Sequence, residues 1–232
     1  MNAIRVSILA VFLLVGTVHA QDRDVLYQLS SMAALKSGVY DGFKTYADVK
    51  RHGDFGIGTF EAINGEMIEL DGTVYQVRTD GHVYTPDDST QTCYATVTFF
   101  DDDKTIPLEQ PMDYSQLKTW LDGILPTNIP CAIRIEGTFE TVKTRSVHPQ
   151  NKPYPPLDDV VKNQVVFEFT NVTGTAAGFR FPAFMDGVQA PGYHLHFLTQ
   201  DRKAGGHLLD CRIWNATVKV DFKREFLMEL PE

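Results

Sequence analysis

A chain of 232 residues with 43% hydrophobic and 22% charged residues has the composition of a globular protein with one substantial core or two small ones. This composition excludes a largely disordered chain. The formal net charge of −9 argues against nucleic acid and anionic membrane surfaces as partners.

The first 20 residues predict a cleaved secretory signal peptide. Arg5 supplies a positive start, residues 6–16 form an apolar run of eleven, and Ala20 is the small residue that a signal peptidase needs. A membrane anchor is disfavoured because a spanning helix requires about 20 apolar residues. The mature chain would carry 20 basic and 30 acidic residues, a net charge of −10, and would be secreted or periplasmic with no membrane association after cleavage.

The mature chain opens with helical patterns and continues with strand patterns. Residues 25–36 have apolar side chains at helical spacing and predict a helix that ends at Gly38, and residues 46–52 predict a shorter helix capped by Thr45. Short segments rich in β-branched and aromatic residues, several separated by Asp-Gly turns, then predict a meander of strands over 55–60, 66–70, 73–78 and 82–85.

The middle of the chain holds one further helix between predicted strands. Asp113 is positioned to cap this helix, and its apolar stripe consists of Leu117, Trp120, Leu121 and Ile124. Strands are predicted on either side of it and again in the last third of the chain, over 93–100, 131–147, 164–172, 175–181, 193–198 and 207–222.

A proline-rich segment at 148–159, with four prolines in twelve residues, predicts a boundary in the chain. The sequence therefore predicts an α+β (mixed α/β) fold with two β-sheet lobes and a few flanking helices. The N-terminal lobe is predicted over 21–150 and the C-terminal, metal-binding lobe over 151–232.

Three cysteines, Cys93, Cys131 and Cys211, are widely spaced along the chain. An oxidising compartment permits one disulfide between two of them, but burial in strands as small apolar residues is the simpler interpretation. Sequons at Asn171 and Asn215 permit glycosylation if the source is eukaryotic.

Three of the seven histidines, His194, His196 and His207, lie within fourteen positions. Side chains two apart on a strand share a face, so His194 and His196 point the same way. Pairing His196 with His207 across a symmetric hairpin places the centre of the turn between Asp201 and Arg202, in a polar stretch where composition also predicts a turn.

Three histidines without a thiolate match the ligand set of a catalytic zinc centre with one open position. Iron, manganese and copper also accept sites made only of imidazoles. The alternative is that these histidines only make hydrogen bonds within their strands. The hairpin register favours the metal site.

Two charged residues are candidates for catalysis. Glu66 shares a strand face with Ile68 and Leu70, and among apolar side chains a carboxyl has a raised pKa that suits a proton donor or base. Its alternative is an edge glutamate that reaches water. Arg145 is a permanent cation that could hold a carboxylate, although a lone strand arginine is more often a surface residue.

The chain resembles the α-acetolactate decarboxylase family of lyases, which act in acetoin biosynthesis. The likeness runs from about residue 26 to about residue 220 and is densest in five motifs that occur in the family's order: "GDFGIGTF", "NGEMIELDG", "AIRIEGTFETVKTRSV", "GYHLHF" and "GGH". Several separate motifs in the right order are far more specific than one pattern.

The resemblance implies Zn²⁺ held by His194, His196 and His207, an active-site glutamate at Glu66, and a substrate-binding and catalytic arginine at Arg145. It also implies that Thr59 lines the substrate pocket. The implied reaction is the decarboxylation of 2-acetolactate, a small 2-hydroxy-3-oxo acid, to acetoin and CO₂ through a metal-stabilised enediolate, with Glu66 as proton donor or relay. The family's assembly further implies a homodimer.

One departure from the family concerns its C-terminal tail, which brings another glutamate towards the metal. This chain ends in "LMELPE", so Glu229 or Glu232 would have to take that role, or no residue does. Two alternatives follow: a secreted relative that keeps the metal but not the turnover, and another metal-dependent, cupin-like enzyme. The second lacks support because the usual glutamate shortly after the first two histidines is missing.

Overall fold

Strands dominate residues 23–231, the part of the chain that this computed structural model describes; the predicted signal peptide and Glu232 lie outside it. Apart from short 3₁₀ turns, these residues form fifteen strands and four short α-helices. In chain order they are β1 Val25–Leu29, α1 Met32–Lys36, β2 Lys44–Thr45, α2 Tyr46–Val49, β3 Phe55–Thr59, β4 Glu66–Leu70, β5 Thr73–Val77, β6 Val83–Tyr84, β7 Gln91–Thr92, β8 Ala95–Thr98, β9 Lys104–Leu108, β10 Met112–Asp113, α3 Tyr114–Asp122, β11 Cys131–Ser146, α4 Leu157–Val160, β12 Val165–Phe181, β13 Gly192–Thr199, β14 Gly205–Phe222 and β15 Glu225–Glu229.

Two large sheets contain thirteen of these strands, and β2 and β7 form a separate two-stranded sheet. The seven-stranded sheet has the order β15-β1-β8-β3-β4-β5-β6, in which only the β1–β15 pair is parallel. The six-stranded sheet has the order β10-β14-β11-β12-β13, with β9 also paired to β14. The predicted α+β class, with two sheet-bearing lobes and few helices, is confirmed.

The two sheets pack face to face through an apolar core. Phe55 and Ile57 of the seven-stranded sheet and Phe179 and Leu198 of the six-stranded sheet are among its fully buried members. Helix α2 covers the outer face of the first sheet, and α3 covers the outer face of the second. Side chains that point between the sheets are therefore removed from water.

The helix predicted over 25–36 is wrong in its first half. Residues 25–29 form β1, which lies between β8 and β15, and only Met32–Lys36 is helical, with the Ser31 side chain accepting from the Ala34 amide at 3.1 Å. Four of the five residues of β1 are buried, so its sequence lacks the period-two alternation of a half-buried strand. The spacing of its apolar residues is therefore also compatible with one face of a helix.

The other two predicted helices are confirmed with shorter bounds. Thr45 caps α2 through a capping box with Asp48, and α2 ends at Val49 instead of continuing to residue 52. Asp113 caps α3 through a second capping box with Gln116. In both, the N-cap side chain and the third helical residue satisfy backbone amides that have no partner inside the helix.

The sheets do not divide the chain at residue 150. Strand β11 precedes this position but lies inside the six-stranded sheet, because β12 and β14 pair with its two edges, and β15 returns to the seven-stranded sheet. Segments 164–172 and 175–181, predicted as two strands, are one strand, β12. The proline-rich segment contributes Leu157 to the wall of a cavity.

Within residues 23–231, Cys93, Cys131 and Cys211 are unpaired and buried, as expected for small apolar residues of strands. No helix in this part of the chain is both long enough and apolar enough to cross a membrane.

Candidate active site

Strands β13 and β14 form the predicted hairpin. His196 lies directly opposite His207, and the Thr199 amide donates to the Ala204 carbonyl at 2.9 Å to close the turn around residues 201 and 202. A Cβ at Gly206 would lie 2.5 Å from the Arg145 carbonyl oxygen, so only glycine lets β14 approach β11 here. The register predicted from the histidine spacing is thus the one observed.

The three histidine rings face one another. Their centroids are separated by 5.2 Å for His194 and His196, 5.0 Å for His194 and His207, and 5.1 Å for His196 and His207. One ring nitrogen from each lies within 4.8 Å of the others. This cluster is a candidate metal site.

Burial keeps the three imidazoles in the form that binds metal ions. Desolvation, reinforced by the nearby positive charge of Arg145, lowers the pKa of His194 to about 4. Desolvation also holds the pKa values of His196 and His207 well below the ordinary histidine value. All three rings are therefore neutral near pH 7, as a metal ligand must be.

The tautomer of His196 follows from its backbone partner. Its Nδ1 lies 2.8 Å from the Met67 carbonyl oxygen, which can only accept, so Nδ1 carries the proton and Nε2 presents a lone pair to the cluster. His207 Nδ1 lies 3.3 Å from His196 Nε2. Two nitrogens bound tetrahedrally at about 2.0–2.1 Å from one zinc ion are also about 3.3 Å apart, so these donors fit a zinc ion.

Glu66 and Arg145 form a buried ion pair beside the histidines. Arg145 Nη1 donates to Glu66 Oε1 at 2.8 Å, and Glu66 Oε2 lies 3.5 Å from His196 Nε2. Arg145 is the register partner of His207, which brings it to the cluster from β11. The two sheets thus each contribute one member of the pair.

Strand pairing places Glu66 in the interior of the seven-stranded sheet. Residues 66, 68 and 70 pair with 77, 75 and 73, and β4 is central rather than an edge, so the alternative of a water-exposed glutamate is wrong. Glu66 is only 5% exposed, and desolvation raises its pKa although Arg145 opposes the shift. Arg145 is likewise not a surface arginine, since its side chain is 13% exposed.

These side chains converge on a cavity of about 260 Å³. Thr59 also lines it, next to Glu66 across β3 and β4, and its hydroxyl donates to the Gly65 carbonyl at 2.7 Å. The remaining wall was missed from the sequence, because its residues come from separate segments that no single pattern connects. They are Met32, Leu35, Gly58, Ile63, Tyr94, Val147, Leu157, Ala190 and Tyr193.

Glu229 does not line this cavity. Its carboxylate accepts from the Tyr27 hydroxyl at 2.8 Å and pairs with Lys44 Nζ at 2.5 Å on the outer strand β15. Of the two glutamates that could have replaced the family's tail residue, Glu229 is therefore engaged elsewhere, and Glu232 lies outside the described residues.

Comparison with known proteins identifies the family. A family model described as alpha-acetolactate decarboxylase matches residues 26–232. The chain belongs to the alpha-acetolactate decarboxylase family. The resemblance predicted from the motifs is confirmed, and membership makes the chain an enzyme, a decarboxylase of the lyase class.

Relatives in this family cover most of the chain. The alpha-acetolactate decarboxylase of Methanosarcina mazei is 49% identical over 94% of this chain and 76% of its own length. That of Bacillus subtilis is 39% identical over 89% of this chain and 81% of its own. A crystal structure of alpha-acetolactate decarboxylase from Bacillus subtilis strain 168 superposes with a TM-score of 0.88 over 90% of this chain and 89% of that one. A cupin-like enzyme is therefore the wrong interpretation.

Proposed function

We propose that this chain catalyses the zinc-dependent decarboxylation of 2-acetolactate to acetoin and CO₂. The observation that carries the proposal is the meeting of three neutral imidazoles and the Glu66–Arg145 pair in one cavity. The names of the relatives supply the substrate, and a cavity of this size suits a small molecule.

His194, His196 and His207 would hold the metal ion, with His196 binding through Nε2. Three imidazoles with one open position are the ligand set of catalytic zinc centres, so zinc is the metal that we propose, although iron, manganese and copper also accept imidazole ligands. When bound, zinc supplies Lewis-acid stabilisation of negative charge that develops on substrate oxygens.

The reaction sets two tasks for the side chains. The first is to hold the substrate carboxylate until CO₂ leaves and its electron pair is delocalised into the ketone as an enediolate. The second is to deliver one proton to carbon. Arg145 suits the first task, because a guanidinium has five N–H donors and the contact with Glu66 leaves others free for a substrate carboxylate.

Glu66 suits the second task. Its Oε1 is fixed by Arg145, while its Oε2 faces the histidine cluster, where the reacting carbons would lie. A carboxyl that is buried beside the reacting atoms can hold a proton and transfer it over a short distance. Glu66 would thus protonate the carbon, directly or as a relay.

The test compares two glutamine variants. Zinc-loaded wild-type protein should release acetoin from 2-acetolactate, and a chelator should stop it. Glu66→Gln should retain its zinc and lose at least about a hundredfold in kcat, the scale of general acid–base catalysis. Glu69→Gln is the matched control on the same strand, facing away from the cavity, and should remain active. Near-normal turnover by Glu66→Gln would sink the assignment of its role.

Export of the enzyme is a second part of the proposal. The pattern of residues 1–20 supports removal of a signal peptide after Ala20 and action outside the cytoplasm.

A further inference from the structure

One half of the cavity wall is apolar. Met32, Leu35, Ile63 and Val147 are at most 7% exposed and belong to one packed cluster, which half-buried Leu157 joins at the rim. The charged and imidazole groups form a separate part of the wall, in which they contact one another. A substrate held by its polar groups therefore leaves its alkyl groups to this apolar wall.

The two tyrosines of the wall direct their hydroxyl groups away from the apolar surface. The Tyr94 hydroxyl donates to Gln189 Oε1 at 2.7 Å, and the Tyr193 hydroxyl donates to Asp122 Oδ1 at 2.7 Å. Both hydroxyls already have partners outside the cavity. The rings alone remain to contact a ligand.

The cavity is larger than the proposed substrate. Its volume is about 260 Å³, whereas a five-carbon hydroxy-oxo acid occupies roughly 150 Å³ at the interior packing density of about 0.74. A bound metal ion takes part of the remaining space, and the rest is free for further substrate atoms along the apolar wall. Water beside an apolar wall lacks hydrogen-bond partners, so an alkyl group that displaces it gains affinity.

The geometry of the substrate sends one group into this space. Carbon 2 is tetrahedral and carries a hydroxyl, a carboxylate, the ketone-bearing carbon and one alkyl group. If the hydroxyl and ketone oxygens face the histidines and the carboxylate faces Arg145, the alkyl group points away from these polar groups. The apolar part of the wall, which includes Leu35 and Leu157, is then available to it.

We propose that this enzyme decarboxylates 2-hydroxy-3-oxo acids whose alkyl group on carbon 2 is longer than ethyl, and that Leu35 and Leu157 set the limit on its length. The inference rests on the proposed function. The bond between the carboxylate and carbon 2 breaks, its electron pair passes into the ketone, and one proton is added at carbon. CO₂ leaves, and no oxidant or further reactant is needed.

Leu35 and Leu157 lie on two short helices that contact each other at the cavity. Helix α1 is held in place because the Met32 and Ala33 amides donate to the Val188 and Gly187 carbonyls at 3.0 and 2.9 Å. Leu157 begins α4 and packs against the same cluster as Leu35. A bulkier side chain in place of Leu157, at the half-buried rim, should shorten the space that is available to the alkyl group without disturbing the core.

The first test uses the zinc-loaded wild-type enzyme with methyl and n-propyl groups on carbon 2. We expect kcat/KM for the propyl acid to lie between one tenth of the methyl value and about sixteen times that value, because its two additional methylenes each contribute up to about fourfold in affinity when they are buried. A value more than tenfold lower overturns the inference. Failure to turn over the methyl acid itself overturns the proposed function instead, so the two failures are distinguishable.

The second test assigns the limit to Leu157. Leu157→Trp should lower the ratio of propyl to methyl kcat/KM at least tenfold, and Leu157→Phe provides a smaller change if the tryptophan variant does not fold. Leu227→Trp is the control, at an exposed site on β15 remote from the cavity, and should leave both rates unchanged. An unchanged ratio in the Leu157 variants, or an equal fall in the Leu227 variant, overturns the assignment.

Discussion

Two buried glutamates on β4 show how the environment of one residue decides its chemistry. Glu66 contacts Arg145 and His196, whereas neither carboxylate oxygen of Glu69 has a hydrogen-bond partner within residues 23–231. Glu69 is fully buried, and desolvation raises its pKa to about 8. Glu69 is therefore neutral at pH 7.

The first prediction is that Glu69→Gln removes a pH dependence of stability. The folded pKa is raised above the unfolded value of 4.5, so the unfolded state binds fewer protons than the folded state between these values. The free energy of unfolding of the wild type should therefore fall as pH rises from about 4.5 to about 8, by at most about 1.4 kcal/mol per pH unit.

Denaturant unfolding at pH 6 and pH 9 measures this effect. Glu69→Gln should be more stable than the wild type at pH 9 by roughly 2 kcal/mol or more, and the difference should shrink at pH 6. Equal pH dependence in the two proteins would contradict a neutral, unpartnered Glu69.

At the residue scale, the sequence predicted the identity of the site residues better than the contacts between them. Period-two alternation was sufficient to put His194 and His196 on one face and Glu66 among apolar neighbours. The ion pair of Glu66 with Arg145 was not predictable, because it joins two sheets and depends on how they pack. The same holds for the apolar wall of the cavity.

At the scale of elements, the hairpin and β1 show opposite outcomes. The hairpin register followed from local information, since the histidine spacing and the polar turn point to the same centre. The helix prediction for β1 is wrong because the strand conformation of these residues depends on β8 and β15, which pair with them from distant parts of the chain. Local patterns predict elements well only where local contacts decide them.

The proposed metal site also leads to a prediction for the hairpin as an element. An ion that joins β13 to β14 binds the folded state alone and therefore stabilises it. Zinc at about a thousandfold above its Kd should raise the Tm of the metal-free protein by about 10 °C.

Thermal unfolding of two alanine variants checks this prediction. His207→Ala should lose the zinc-dependent rise in Tm, while His148→Ala should keep it, because His148 is exposed and contacts the Thr79 hydroxyl at 3.0 Å. A full rise in Tm for His207→Ala would show that the hairpin does not hold the ion.

At the scale of the whole molecule, the site exists because the two sheets face each other. The seven-stranded sheet brings Glu66 and Thr59, and the six-stranded sheet brings Arg145 and the histidines. The class of fold was predictable from strand and helix patterns, but the division at residue 150 was not, because the edges with which a strand pairs determine its sheet.

The predicted signal peptide leads to a prediction about export of the protein. Expressed with its first 20 residues in a host that recognises the signal, the protein should accumulate outside the cytoplasm with Gln21 as its first residue. Intact-mass analysis of the exported protein measures the cleavage point. A protein that stays in the cytoplasm with Met1 or Asn2 at its start would contradict export.

The most direct measurement of the central claim is a zinc titration of metal-free protein, followed by acetoin formation from 2-acetolactate. We expect the initial rate to rise with added zinc and to level off at one zinc ion per chain, and we expect no rise for His196→Ala. Acetoin formation that is independent of zinc, or absent at every zinc concentration, would contradict the central claim.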